Sequence, residues 1–258
     1  MLILLPPSEG KSAPRRGKPL DHATLSFPVL TESRIALRQA LVDLCAGDPE
    51  TAARVLDLSP NQLDLVDLNA GHQTAATARA DRVYSGVLYE ALGFDTLSPA
   101  AKRRAGTRVA VTSSLFGLVR PGDRIPAYRL SGDASLPGLG PVAGVWRESL
   151  GDAITDAMGS GLLVDLRSGM YAAFWRPPTE LAKRVATVRV LHEVAGKRQV
   201  VSHFNKATKG RIVRALLEDG RDPRSPAKLA EVLVDLGWTV EIDPGPKGTR
   251  LDVIVSEI

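Results

Sequence analysis

Apolar positions along this chain follow two different periods. A short run, Leu2 to Leu5, opens it and stops at Pro6-Pro7, the pattern of a buried strand closed by residues that cannot extend a ladder. From Thr31 to about Leu44, the residues Ile35, Leu37, Leu41 and Leu44 recur at helical spacing and predict an amphipathic helix. A second helix is expected over Glu50 to Leu56. A third is expected from Ser59, an N-cap residue with Pro60 at the first helical position. Farther on, Arg108 to Thr112, Gly161 to Leu166, Ala186 to Leu191 and Gln199 to His203 read as strands, and Val142 to Met158 as a helix. A basic helix is expected from about Ala207 to Glu218, and another near Pro226 to Leu236. Two strand-like segments, Trp238 to Ile242 and Leu251 to Glu257, close the chain around a hairpin turn at Pro244 to Gly248. Strands spread along the chain and separated by helices predict an α/β (α+β) protein with one mixed sheet flanked by helices. No repeat and no convincing linker interrupts the sequence, so residues 1–258 are expected to form one domain with a helical hairpin subregion at about 36–75.

Composition adds little beyond a globular class, with 44% hydrophobic and 24% charged residues. No apolar stretch approaches membrane-spanning length and no basic segment precedes the first strand, so no membrane association and a cytoplasmic location are expected. Cys45 is the only cysteine, which excludes an internal disulfide and predicts a buried, unreactive thiol. The four histidines, at positions 22, 72, 192 and 203, are scattered without metal-ligand spacing. Neither a metal site nor a cofactor motif is expected. A net charge of +4 is ordinary and says little by itself about partners.

The candidate chemistry sits where predicted strands end, which is where α/β folds place ligands. Pro7-Ser8-Glu9-Gly10-Lys11 follows the first strand, and Lys11 behind a glycine can reach a phosphate, although the spacing is not that of a Walker A loop. Ser113-Ser114 follows the next strand and leads to Arg120, Tyr128 and Arg129, whose guanidinium forks suit phosphate or carboxylate. Pairing of either arginine with Asp123 is the structural alternative. Asp165-Leu166-Arg167-Ser168 and Tyr171 stand at a third strand end, where the roles open to Asp165 are a general base, the ion-pair partner of Arg167 or an acid at a helix N-terminus, with the ion pair expected. Ser202-His203-Phe204-Asn205-Lys206, with Lys209 and Arg211, feeds a basic helix start suited to anions, and His203 reads as a hydrogen-bonded histidine. The segment Thr51 to His72 has the outline of a helix-hairpin-helix but carries Glu50, Asp57, Asp64 and Asp67 around it and lacks the hairpin glycine. An ordinary packed α-hairpin is the expectation there.

Taken in order, MLILLPPSEGK, VYSGVLYEAL, SSLFGLVRPGDRIPAYRL, VDLRSGMY and SHFNKATKGRIVRAL resemble the blocks of the YaaA family over nearly the whole chain. The opening PPSEGK differs from a Ser-Pro-Ala-Lys opening, with the lysine in nearly the same place, as in a diverged branch. The resemblance implies a peroxide-stress protein with one α/β fold, a helix-hairpin-helix element and a basic cleft. It further implies sequence-independent DNA binding and a role in limiting damage linked to free iron. Carried over by position, the cleft draws on Lys11, Arg120, Arg129, Arg167, Lys206, Lys209 and Arg211, to which Tyr128, Ser168 and Asn205 are added as polar neighbours. The alternative is an enzyme acting on a phosphorylated small molecule, nucleotide or nucleic-acid end, with Ser8, Ser114, Asp165 and Tyr171 as catalytic candidates. A monomer is expected in either case.

Overall fold

The computed structural model describes residues 1–194 and 196–256, with the side chains of Val194, Ser202 and His203 left out. The expected strand end at Glu257 and the reading of the His203 side chain lie outside the described residues. The chain runs β1 (Leu2–Leu5), α1 (Thr31–Ala46), α2 (Pro49–Val55), α3 (Asp64–Ala70), β2 (Ala78–Arg79), α4 (Ala80–Val83), α5 (Val87–Leu92) and α6 (Pro99–Arg108). It continues through β3 (Val109–Ser113), β4 (Gly117–Val119), β5 (Arg124–Ile125), β6 (Ser135–Leu136), β7 (Gly140–Pro141), α7 (Val142–Met158), β8 (Leu163–Asp165) and α8 (Gly169–Ala172). It ends with β9 (Val185–Val194), β10 (Lys197–Gln199), α9 (Ser202–Asp219), α10 (Pro226–Asp235), β11 (Thr239–Gly245) and β12 (Gly248–Val255).

The main sheet has the order β11-β12-β9-β8-β1-β3-β4, with β10 paired to β9. From β12 to β3 the five neighbouring strands are parallel, while β4, β10 and β11 are antiparallel to their partners. Every residue of β1, β3 and β8 is buried, so these strands are covered on both faces, as their near-continuous apolar runs require. Two groups of helices provide the cover: α5, α6, α9 and α10 on one hand, α1, α3 and α7 on the other. The packing is close in places. At Gly210 of α9 an added Cβ would lie 2.2 Å from the Leu88 carbonyl of α5, and at Gly117 it would strike the Trp146 ring of α7. Among the described residues no helix is long and apolar enough to cross a membrane.

Two expectations need correction. The strand drawn over Gln199 to His203 stops at Gln199, and α9 begins at Ser202. The β10 ladder ends at the Gln199–His192 pair, Val200 is left 56% exposed, and Asn205 N already donates to Val201 O at 2.8 Å. The branched pair Val200-Val201 therefore finds no ladder to join, and its β-propensity is overridden. The third helix does not start directly at Ser59. Ser59 and Gln62 form a capping box on a short turn, Pro60–Gln62, before α3 begins.

Candidate anion site at the strand ends

β1 lies between β3 and β8, so the chain leaves it to one side and later returns on the other. The crevice beyond its C-terminal end is the topological switch point of the sheet. The loop leaving β1 is pinned there. Ser8 Oγ donates to Gly10 O (2.6 Å) and accepts from Ser85 N (3.1 Å), Ser85 Oγ donates to Gly10 O (3.2 Å), and Lys11 bridges to Tyr84. Lys11 Nζ donates to Ser8 O (2.8 Å) and Glu9 O (3.3 Å) and lies 4.1 Å from the ring centroid of Tyr128 and 5.9 Å from that of Tyr84. Ring faces favour the ammonium form. Burial opposes it more strongly and brings the amine down to about 7, with Glu9 resisting and Arg129 reinforcing the shift. The residue is nonetheless only half-buried, so solvent reaches part of it.

All four tyrosines of the chain gather around this point. The Tyr128 hydroxyl shares hydrogen bonds with Ser113 Oγ (2.7 Å) and the Tyr84 hydroxyl (3.2 Å). Tyr84 stacks on Tyr89 at 5.5 Å, and the Tyr89 hydroxyl donates to Pro6 O at 2.7 Å. Tyr171 is near enough to feel Tyr128, Glu9 and Arg129. Burial pushes all four hydroxyls up from the ordinary tyrosine value, so they are neutral at physiological pH.

Arg129 is held by its backbone and left partly unspent at its head. Its N–H donates to Asn69 Oδ1 (2.9 Å) and its carbonyl accepts from Asn69 Nδ2 (2.8 Å), so α3 fixes the segment. One guanidinium nitrogen meets Glu9, whereas Nε is a buried donor without an acceptor among the described residues. The acidic side chains of the helical hairpin, Glu50, Asp57, Asp64 and Asp67, all face solvent. The service this hairpin gives the site is Asn69.

The β8 end behaves differently. Arg167 is sealed in, donating from its backbone and Nε to Asp165 Oδ1 (3.0 and 2.9 Å), from Nη2 to Asp165 Oδ2 (2.7 Å) and Trp175 O (3.0 Å), and from Nη1 to Tyr171 O (3.2 Å). Its side chain has no exposed surface. Asp165 is accordingly its ion-pair partner, the blandest of the three roles foreseen, and the pair clamps the turn into α8. Lys209 reaches over from α9 to Leu166 O (2.9 Å), with burial lowering its amine and Asp165 opposing. Asn205, one turn earlier, presents a buried Oδ1 with no donor among the described residues. Lys206 beside it is exposed. Arg211 is exposed too and lies about 200° around the helix from Lys209, facing away.

The remaining candidates fall elsewhere. Ser114 is fully buried and spends its hydroxyl on Leu130 O at 2.6 Å. Ser168 is exposed at the start of α8. Arg120 sits at the opposite end of β3, donating to Thr107 O (2.7 Å) and Val109 O (3.1 Å) with its guanidinium 5.0 Å from the centre of the Phe27 ring. Asp123 takes the Arg120 backbone N–H and Ser26 rather than either arginine side chain. The structure thus brings Ser8, Lys11, Tyr128, Arg129 and Tyr171 together, sets Asn205, Lys206 and Lys209 beside the β8 turn, and separates Arg120 and Arg211. Sequence reasoning passed over Glu9, Asn69, Tyr84, Ser85 and Tyr89 as site residues. One signal was available: in a chain with 5% aromatic residues, every tyrosine falls in or next to a polar block.

Fold and site together define an α/β protein that carries, where its parallel strands end, a desolvated lysine amine and, among the described residues, an unmet guanidinium N–H. Comparison with known sequences carries this further. The family model described as "Peroxide stress protein YaaA" matches residues 1–242, and the chain belongs to that family. It is 52% identical to a UPF0246 protein of Streptomyces coelicolor over the full length of both chains. It is 43% identical to a UPF0246 protein of Corynebacterium efficiens, covering 98% of this chain and 100% of that one. A more distant relative, an uncharacterized protein of Campylobacter jejuni, is 26% identical over 81% of this chain and 82% of its own.

Proposed function

We propose that this peroxide stress protein binds nucleic acid through its phosphates, without sequence preference, at the C-terminal edge of its parallel strands. The observation that carries the reading is Arg129 Nε, a buried donor with no acceptor among the described residues, standing within electrostatic reach of Lys11. A buried N–H of this kind is costly unless a ligand oxygen meets it. The loop that continues from Lys11 adds Arg15, Arg16 and Lys18, all exposed and suited to backbone phosphates on either side. Such binding would give the protein a way to limit damage linked to free iron. Cationic side chains on the phosphates release the counterions held there, ferrous ions included, and so remove the metal from the place where peroxide would attack the strand. In this reading the acidic hairpin does not contact DNA and acts through Asn69.

The test is binding of a fluorescent duplex measured across salt concentrations. Affinity falling steeply with salt, and falling further in Arg129→Met, is the expected result. Salt-insensitive binding, or none at low salt, sinks the proposal.

A second reading, chemistry on a phosphorylated small molecule, nucleotide or strand end, is favoured by Lys11 itself. A duplex backbone does not need a desolvated amine between tyrosines. A screen of nucleotides and sugar phosphates by thermal unfolding distinguishes the two, since a true small ligand raises the unfolding temperature by mass action.

A further inference from the structure

We propose that Lys11 is a catalytic amine that forms a reversible imine with an aldehyde or ketone carried next to a phosphate. The inference rests on the phosphate-binding reading of the same site and goes beyond it to the reacting atom. Lys11 Nζ donates to two carbonyls, Ser8 O and Glu9 O. Two donated bonds match the two N–H groups of a neutral amine and leave its lone pair free. The amine is crowded by aromatic rings, with Tyr128 beneath it and Tyr84 beside it, and burial there disfavours its protonation strongly enough to outweigh Glu9, with Arg129 adding to the effect of burial. Desolvation and a neighbouring cation are the two means by which proteins convert a lysine into a nucleophile at neutral pH. Its backbone is fixed by the bridge to Tyr84, so the amine is presented from a rigid base although part of the residue stays open to solvent.

Neighbouring groups fix the substrate class. Arg129 Nε offers an unspent N–H to an anionic oxygen, and a guanidinium suits phosphate. The four neutral tyrosines supply an apolar wall for a sugar or similar carbon frame. The step balances without any added oxidant or reductant. The amine lone pair attacks the carbonyl carbon and forms the C–N bond. The carbonyl π pair moves to oxygen, which takes up the protons released from nitrogen, and the oxygen departs as water to leave C=N. Water addition reverses the sequence. Two sources carry this chemistry, the ring-opened sugar of an abasic position in a nucleic-acid strand and a free sugar phosphate.

Borohydride trapping tests the inference on the full chain. One arm uses a duplex bearing a single abasic position, the other glyceraldehyde 3-phosphate, and the same preparation is assayed for binding of the intact duplex. The expected result is one reduced adduct per chain, with the modified peptide mapping to Lys11, and trapping at least fivefold slower in R129M. The arm that reacts identifies the source, and either arm supports the proposal. Absence of an adduct from both, or an adduct on another lysine, overturns it. Peptide mapping on the unaltered protein needs no variant. Lys11→Arg, checked for its fold by circular dichroism, must lose the adduct, and persistence of trapping in it also overturns the proposal. Intact-duplex binding without any adduct removes the imine and leaves the phosphate reading standing. An adduct from the free aldehyde without duplex binding removes the nucleic-acid reading and leaves Lys11.

Discussion

The two ends of the parallel strands are both lined with positive charge, yet they use it in opposite ways. At the N-terminal ends the Met1 amino group pairs with Asp222 (2.7 Å), Arg108 donates to Gly220 O and Arg221 O (3.1 and 2.9 Å), Arg184 to Gly159 O (2.5 Å), and Arg120 to Thr107 O and Val109 O. These groups close loops by satisfying backbone carbonyls. At the C-terminal ends Lys11 also donates to backbone carbonyls but holds a lowered proton affinity, and among the described residues Arg129 keeps an unmet N–H and Asn205 an unmet oxygen. Counting cations does not separate a structural edge from a binding edge. What separates them is whether the donors are already spent, and Arg167 shows that a spent arginine occurs at the binding edge too.

The largest expected effect breaks that last point open. Arg167→Met leaves the Asp165 carboxylate buried without its partner, and the loss of a buried pair's cation typically costs about 3–5 kcal/mol. Urea unfolding should show a loss on that scale. A stable variant with weakened duplex binding would instead place Arg167 among the ligand-binding groups.

Lys11→Met should leave the fold intact and weaken duplex binding roughly tenfold, about 1.4 kcal/mol. Its pH signature is the sharper measurement. The folded amine titrates near 7 and the unfolded one near 10.5, so between these values the unfolded chain binds more protons. Stability contributed at this position is therefore greatest above the unfolded value and is lost as pH falls from about 10.5 to about 7. Unfolding curves of the unaltered protein and the K11M variant should diverge with that sign. Parallel curves would mean that Lys11 keeps an ordinary amine.

How much of this was legible in the sequence follows the same division. β1, β3 and β8 could be read because strands covered on both faces must be apolar throughout, and α7 because Val142–Met158 keeps one apolar stripe. The positions of Lys11 and Arg129 at strand ends could be read as well. The start of α9 could not, because Val200 and Val201 have strand propensity and only the end of the β10 ladder excludes them. Nor could the environment of Lys11, since Tyr128 and Tyr84 come from segments far apart in the chain. The consumption of Arg120 was hidden for a related reason: its acceptors are backbone carbonyls, which carry no residue signature, whereas the pairing of Arg167 with Asp165 was legible from two residues standing close together at a strand end.

Arg120→Gln tests the structural edge directly. Two hydrogen bonds to backbone carbonyls are removed or weakened, so thermal or urea unfolding should register a loss of about 1 kcal/mol with duplex affinity unchanged. A drop in affinity without loss of stability would return Arg120 to the ligand.

The smallest effect is also the most informative, because it concerns an acidic group placed between Lys11 and Arg129 in their electrostatics. Glu9 pairs with Arg129 and raises the proton affinity of Lys11, yet its side chain is 52% exposed. Screening by water keeps such a pair weak, at about 0.2–1 kcal/mol. In Glu9→Gln the Arg129 head is freed for phosphate and the Lys11 amine loses the charge that opposed its desolvation. Inorganic phosphate should then bind about two- to fivefold more tightly. The pH midpoint for trapping at Lys11 should move down, not up. Both changes arise from one carboxylate standing where the incoming anion would stand. If E9Q left phosphate affinity and the trapping midpoint unmoved, Glu9 and the two cations would not share a site, and the contrast between the two strand edges would lose its main support.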